Sequence, residues 1–161
     1  MPGYRAHLSA GLVMWLVIWY LTVALLYQPT WLDLSCGLLL SLIGSIFPDI
    51  DIRSKMQRLF YMTSILIIPI ALLSQAWQFF FCFAAFAFLV AIIRHRTITH
   101  QSWFLVLMPG FFSLYLGYFN QDSFNHIISF YLFFVAGALS HVFLDKSITK
   151  IKRITKRPRR Y

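Results

Sequence analysis

The 161-residue chain has five aspartates, five histidines and no glutamate, so every carboxylate or imidazole able to hold a metal or move a proton can be placed by name. Four short motifs hold most of them: Ala6-His7, Pro48-Asp49-Ile50-Asp51, the dense run Arg94-His95-Arg96-Thr97-Ile98-Thr99-His100-Gln101-Ser102, and Ser140-His141-Val142-Phe143-Leu144-Asp145. Imidazole nitrogen and carboxylate oxygen suit Zn²⁺, Mn²⁺ or Fe²⁺, and the two cysteines, Cys36 and Cys82, sit inside apolar runs as free thiols. His141 and Asp145 are four apart, which on a helix places both on one face, able to share an ion. Asp49 and Asp51 are two apart. An extended backbone would send their carboxylates to opposite sides, whereas a turn after Pro48 could converge them. One carboxylate could then bind or bridge metal while the other orients a histidine. His95 and His100, five apart, do not align on a helix and need a loop to act together. Each piece has a plainer reading as well. Asp49 and Asp51 could pair with Arg53, Lys55 or Arg58, His7 could be interfacial, and His141 with Asp145 could be a hydrogen-bonded pair at a helix end.

The elements that must position these groups are set by composition. The chain is 60% hydrophobic, 19% aromatic and 12% charged, against about a quarter charged in a soluble domain. Leu8 to Tyr27 is a run of twenty residues without a charge, the length of a membrane-spanning helix. It is too long for a signal peptide, and no small-residue cleavage site follows it. Hydropathy predicts an all-α polytopic membrane bundle of about six helices, near 8–27, 31–47, 58–74, 76–93, 103–119 and 124–144. The count could fall to four plus a re-entrant hairpin, because Pro69 interrupts the third span and only Ser74-Gln75 separates it from the fourth. Gly37, Ser41 and Ser45 recur at steps of four, with Gly44 alongside, and predict a close helix-packing face. The five tryptophans read as span or interface aromatics.

All fourteen basic residues are Arg5, Arg53, Lys55, Arg58, Arg94, Arg96 and the eight from Lys146 to Arg160. With six spans and both termini on one side, every one falls on that side, which the positive-inside rule makes cytoplasmic. Residues 1–145 form the membrane domain and 146–161 a basic cytoplasmic tail, which anionic lipid head groups would hold at about 1 kcal/mol per nearby charge. No nucleic-acid reading module accompanies the tail, so nucleic acid is disfavoured as a partner. The same orientation gathers His7, Asp49, Asp51, His95, His100, His141 and Asp145 at the basic face. Asp33, Asp122 and His126 are left at the other. Ionisable groups that converge near a membrane are functional candidates by default.

In order and placement, the four motifs resemble those of the bacterial inner-membrane metal-dependent hydrolases of the LexA-regulated type, a family also described as domain of unknown function 457. Its pattern is an early Gly/His element, Pro-Asp-[Ile/Leu]-Asp, His-Arg-Gly-x-Thr-His-Ser and Ser-His-x-x-x-Asp. The resemblance spans nearly the whole chain up to Asp145. Thr97 stands where relatives have glycine, Gln101 intervenes before Ser102, and Ile52 takes a place where many relatives are polar. The resemblance implies a metal-dependent hydrolase of the bacterial inner membrane. The hydrolase label follows from similarity to zinc-dependent phospholipase C-type proteins, which also hold metal through a His-x-x-x-acid pair.

The expected function is therefore hydrolysis at the cytoplasmic membrane face. His7, Asp49, Asp51, His95, His100, His141 and Asp145 would bind one to three divalent ions, most simply zinc, and a metal-activated water would be the nucleophile. Asp49 or Asp51 would act as general base, and Arg94 and Arg96 would neutralise a phosphate. Head-group depth suggests a phospholipid or polyprenyl-phosphate ester as substrate. A metal transporter would need polar groups through the bilayer midplane, and only Thr22, Ser41, Thr63 and Ser64 are there. A site that merely staples helix ends is the other alternative, and would be closed and fully liganded.

Overall fold

A computed structural model of the chain describes residues 4–51, 55–92 and 101–155, and no strand occurs among the described residues. Among the described residues six α-helices follow one another: α1 Tyr4–Leu25, α2 Trp31–Ile46, α3 Lys55–Leu73, α4 Trp77–Ile92, α5 Ser102–Phe119 and α6 Phe124–Thr155. The protein is an all-α membrane helical bundle. Among the described residues, four segments are long and apolar enough to cross a bilayer: Arg5–Leu25, Trp31–Asp49, Ser102–Phe119 and Gln121–Ile148. Tyr61–Leu73 within α3 is a shorter apolar helix, and α4 has 16 residues. The α3–α4 pair is joined at a tight turn where Gln75 adopts φ 56°.

Three helices, α1, α2 and α6, make the centre, with α2 against α6 the most extensive contact and α5 packed on the outside of α6. The solvent of this fold is lipid, so its polarity is inverted. His7, Thr22, Ser41, Ser45, Ser129 and His141 are buried, while Tyr20, Leu25, Ile65, Leu107, Phe111 and Tyr118 face outward. Lipid offers no hydrophobic drive for helices to associate, so close packing and interhelical hydrogen bonds must do that work. The small residues supply both. The Ser41 hydroxyl donates to the Gly11 carbonyl at 2.8 Å. A side chain on Gly44 would strike the Phe134 carbonyl, and one on Gly137 the Ser41 carbonyl. The packing face expected from Gly37, Ser41, Gly44 and Ser45 is the seam where α2 meets α1 and α6.

Helix ends are set locally. Thr30 caps α2: its hydroxyl accepts from the Asp33 amide at 3.2 Å, and its own amide donates to Asp33 Oδ2 at 2.9 Å, a reciprocal capping box. At the other end, Pro48 has no amide proton to continue the α-helical ladder, and Phe47–Asp51 tightens into a 3-10 turn. Helix α6 has 32 residues, about 48 Å at 1.5 Å per residue, which exceeds a hydrocarbon core of roughly 30 Å. The first ten residues of the basic segment, Lys146 to Thr155, are therefore a continuation of α6, and the boundary expected at Asp145 falls inside one helix.

Candidate metal centre

The start of α1, the end of α2 with its 3-10 turn, and the stretch of α6 around His141 and Asp145 meet at one end of the bundle, and four of the expected ligands meet with them. His141 lies at the centre, fully buried. Its Nδ1 is 2.7 Å from the Ser45 backbone carbonyl. A carbonyl can only accept, so Nδ1 carries the proton and donates, which in the neutral ring leaves the Nε2 lone pair for another partner. Nε2 faces Asp49 Oδ1 at 3.6 Å and Asp145 Oδ2 at 3.7 Å. His7, also buried, stacks on His141 with ring centroids 3.9 Å apart and planes at 16°. Its Nε2 is 3.7 Å from Asp145 Oδ1, a buried oxygen with no hydrogen-bond partner among the described residues.

These distances decide what the arrangement can hold. An N–H···O bond runs at about 2.7–3.2 Å, so 3.6–3.7 Å is too long for direct hydrogen bonding. Ligands about 2.0–2.2 Å from one tetrahedral ion lie roughly 3.3–3.6 Å from one another, close to the spacing found here. Donor atoms of His7, His141 and Asp145 all fall within 4.8 Å of one another. A backbone carbonyl accepting from the far ring nitrogen, as Ser45 does here, is how a metal-bound histidine is usually held in one tautomer. The donor set and its spacing thus fit a divalent cation. Exposure is graded across the site: His7 and His141 are 3% and 0% exposed, Asp145 19% and Asp49 37%. The carboxylates form the open side.

Of the residues expected from sequence, the structure brings together His7, Asp49, His141 and Asp145. The four-residue spacing of His141 and Asp145 does place both on one face of α6. For Asp49 and Asp51 the backbone is neither extended nor a simple turn but a 3-10 helix, which carries Asp49 toward His141. The side chain of Asp51, and Arg94, His95, Arg96 and His100, lie outside the described residues. The Ser45 carbonyl was not foreseen as a partner, because a backbone acceptor has no residue-type signal and Ser45 reads only as a packing residue.

The opposite end of the bundle holds a second arrangement that sequence reading missed. Asp33 Oδ1 accepts from His126 Nδ1 at 3.0 Å, while Asp33 Oδ2 accepts from the Thr30 hydroxyl at 2.9 Å. The Tyr27 ring lies 4.5 Å from that of His126, and its hydroxyl is 3.1 Å from Ser129 Oγ. The predicted topology puts Asp33 and His126 at the same far face, but nothing in the sequence says that α2 and α6 are neighbours.

No curated protein and no solved structure matches the chain. A family model does match, and its description is of an inner-membrane protein rather than of a reaction. Residues 1–151 match the model of the YdjM inner membrane protein family, and the chain belongs to that family.

Proposed function

We propose that the protein is a metal-dependent hydrolase of phosphoesters, working at the basic, cytoplasmic face of the inner membrane. One observation carries this reading: a buried histidine, its tautomer set by the Ser45 carbonyl, turns Nε2 toward two carboxylates at 3.6 and 3.7 Å. A lone pair facing two anions is stabilised by a cation among them, and the spacing suits one. His7, His141 and Asp145 would hold the ion, most simply zinc, with Asp49 beside it. When bound, such an ion supplies Lewis acidity toward water and toward a phosphoryl oxygen.

The remaining roles belong to the chain. Asp49, the most exposed of the four, is placed to accept a proton from an attacking water. The Ser45 carbonyl keeps His141 from rotating away. Arg94 and Arg96 would neutralise the phosphate charge, and His95, His100 and Asp51 would complete the ligand set. A purely structural metal would be enclosed on all sides. The graded exposure from His141 to Asp49 supports an accessible site instead.

The test is metal analysis of detergent-purified protein, together with hydrolysis of a panel of phospholipid and polyprenyl phosphoesters. Wild type should carry stoichiometric metal, and His141→Ala and Asp145→Asn should lose it along with activity. Asp49→Asn should keep most of the metal and lose most of the turnover. Wild type without stoichiometric metal would overturn the reading.

A further inference from the structure

A cavity of about 340 Å³ lies between α2, α4, α5 and α6, within the range of small-ligand pockets. Its walls include Leu40 from α2, Phe79 from α4, Ser113 from α5, and Ile127, Tyr131 and Phe134 from α6. No charged residue lines it. The Tyr131 hydroxyl is already committed to the Val106 carbonyl at 3.3 Å. A space so lined does not retain water, and its natural occupant at this depth is a hydrocarbon chain.

Its register ties it to the metal centre. Ile127, Phe134 and His141 are seven residues apart in turn, and so share one stripe of α6. At 1.5 Å per residue, Phe134 and Ile127 lie about 10 and 21 Å deeper than His141. On α2, Leu40 stands seven residues before Phe47, whose ring meets that of Phe134 edge-on with centroids 5.3 Å apart. Phe47 leads directly into Pro48 and Asp49. One apolar wall thus runs from the cavity to the lip of the site. At that lip α6 presents Lys146 and Lys150, both exposed, which complement an anionic head group.

We propose that this cavity receives the hydrocarbon chain of an anionic lipid whose phosphate head lies at the His7–His141–Asp145 cluster, so that the substrate class is a lipid-anchored phosphoester. The assignment rests on the hydrolase reading above for its chemistry, but the cavity can be tested without turnover. The probe is phosphatidic acid bearing a diazirine at mid-chain, photolysed with wild-type protein in detergent micelles and mapped by peptide mass spectrometry. The variants are Ser113→Trp and Leu116→Trp, which fill the cavity from α5, each checked for unchanged metal content.

Label should concentrate on the α5 and α6 residues that line the cavity. It should be displaced by unlabelled phosphatidic acid and at least fivefold less well by diacylglycerol, and each tryptophan should cut it at least fivefold. Label spread evenly over outward residues such as Phe111 and Leu114, or unchanged in both variants, would mean ordinary bilayer contact and overturn the assignment. Equal competition by diacylglycerol would also overturn it, because the head group would then play no part. Cavity labelling in protein that lacks metal would keep the lipid site and remove the hydrolase reading. Metal without cavity labelling would do the reverse.

Discussion

Gly137→Ala should weaken metal binding although it touches no ligand, and the reason can be worked from the packing. Gly137 lies one turn before His141 on α6, against α2. A methyl group there would collide with the Ser41 carbonyl oxygen and stand 2.9 Å from its carbon and 3.0 Å from the Ser45 nitrogen. All three are backbone atoms, so relief requires α2 and α6 to separate. Overpacking of this kind costs about 1–3 kcal/mol, while alanine in place of glycine gains about 1 kcal/mol of helix propensity. The net expectation is a loss of roughly 0–2 kcal/mol. Gly110→Ala is the control, because its methyl group would meet only Tyr131 ring and hydroxyl atoms at 3.5 Å or more. That variant should gain about 1 kcal/mol with no opposing cost.

The same separation reaches the site. The His141–Ser45 hydrogen bond is 2.7 Å long and crosses the α2–α6 gap, so an opening of about half an ångström takes it to the edge of the bonding range. Losing such outer-shell support typically lowers metal affinity about 10–100-fold. Zinc affinity by competition with a chromophoric chelator, and thermal unfolding in one detergent, measure the two effects. If Gly137→Ala matches Gly110→Ala in both assays, the helix seam does not position the imidazole and the reasoning fails.

Three further outcomes follow from the far end of the bundle. His126→Ala, which removes the 3.0 Å partner of Asp33, should lower unfolding stability by about 1 kcal/mol and leave zinc affinity within about twofold, since distant sites act additively; a tenfold change in affinity would contradict the separation of the two ends. Thr30→Ala breaks the α2 capping box and should also cost about 1 kcal/mol, read as a lower midpoint in thermal unfolding with metal content unchanged. Burial raises the Tyr27 phenol above its ordinary 10.0, opposed by the hydrogen bond with Ser129 and reinforced by Asp33. The folded state then holds that proton more tightly than the unfolded one, so its contribution is whole below pH 10 and declines as pH rises through the shifted value. The stability difference between wild type and Tyr27→Phe should accordingly be constant below pH 10 and shrink above it; a difference that stays flat to alkaline pH would remove the linkage.

What could be read in the sequence divides along physical lines. Spans α1, α2, α5 and α6 were legible because a bilayer demands long apolar runs, and the packing seam because only small residues let backbones touch. Charge asymmetry alone placed His7, Asp49, His141 and Asp145 at one end, where the structure does bring them together. The extent of α6 was not legible: hydropathy stops at the membrane surface, whereas helical hydrogen bonding continues through Lys146 and beyond. Nor was the Ser45 carbonyl, since backbone acceptors leave no mark in residue type. The Asp33–His126 pair needed knowledge of which helices are neighbours, which periodicity within a single helix does not contain.

The two ends of the bundle use the same residue types, and the distances separate their roles. Asp33 and His126 are 3.0 Å apart, and the other oxygen of Asp33 is taken by Thr30. That carboxylate is satisfied by protein donors, which is what a structural clasp requires of a buried charge. At the other end His7, Asp49, His141 and Asp145 approach to 3.6–3.7 Å and stop. Packing has brought them near without letting them close on one another. His141 cannot swing to shorten its contacts while Nδ1 is bound to Ser45, and His7 is pinned flat against the His141 ring. That separation is close to the spacing of ligands around one tetrahedral ion, and this contrast with the closed Asp33–His126 clasp is what makes the His141 end the place to look for chemistry.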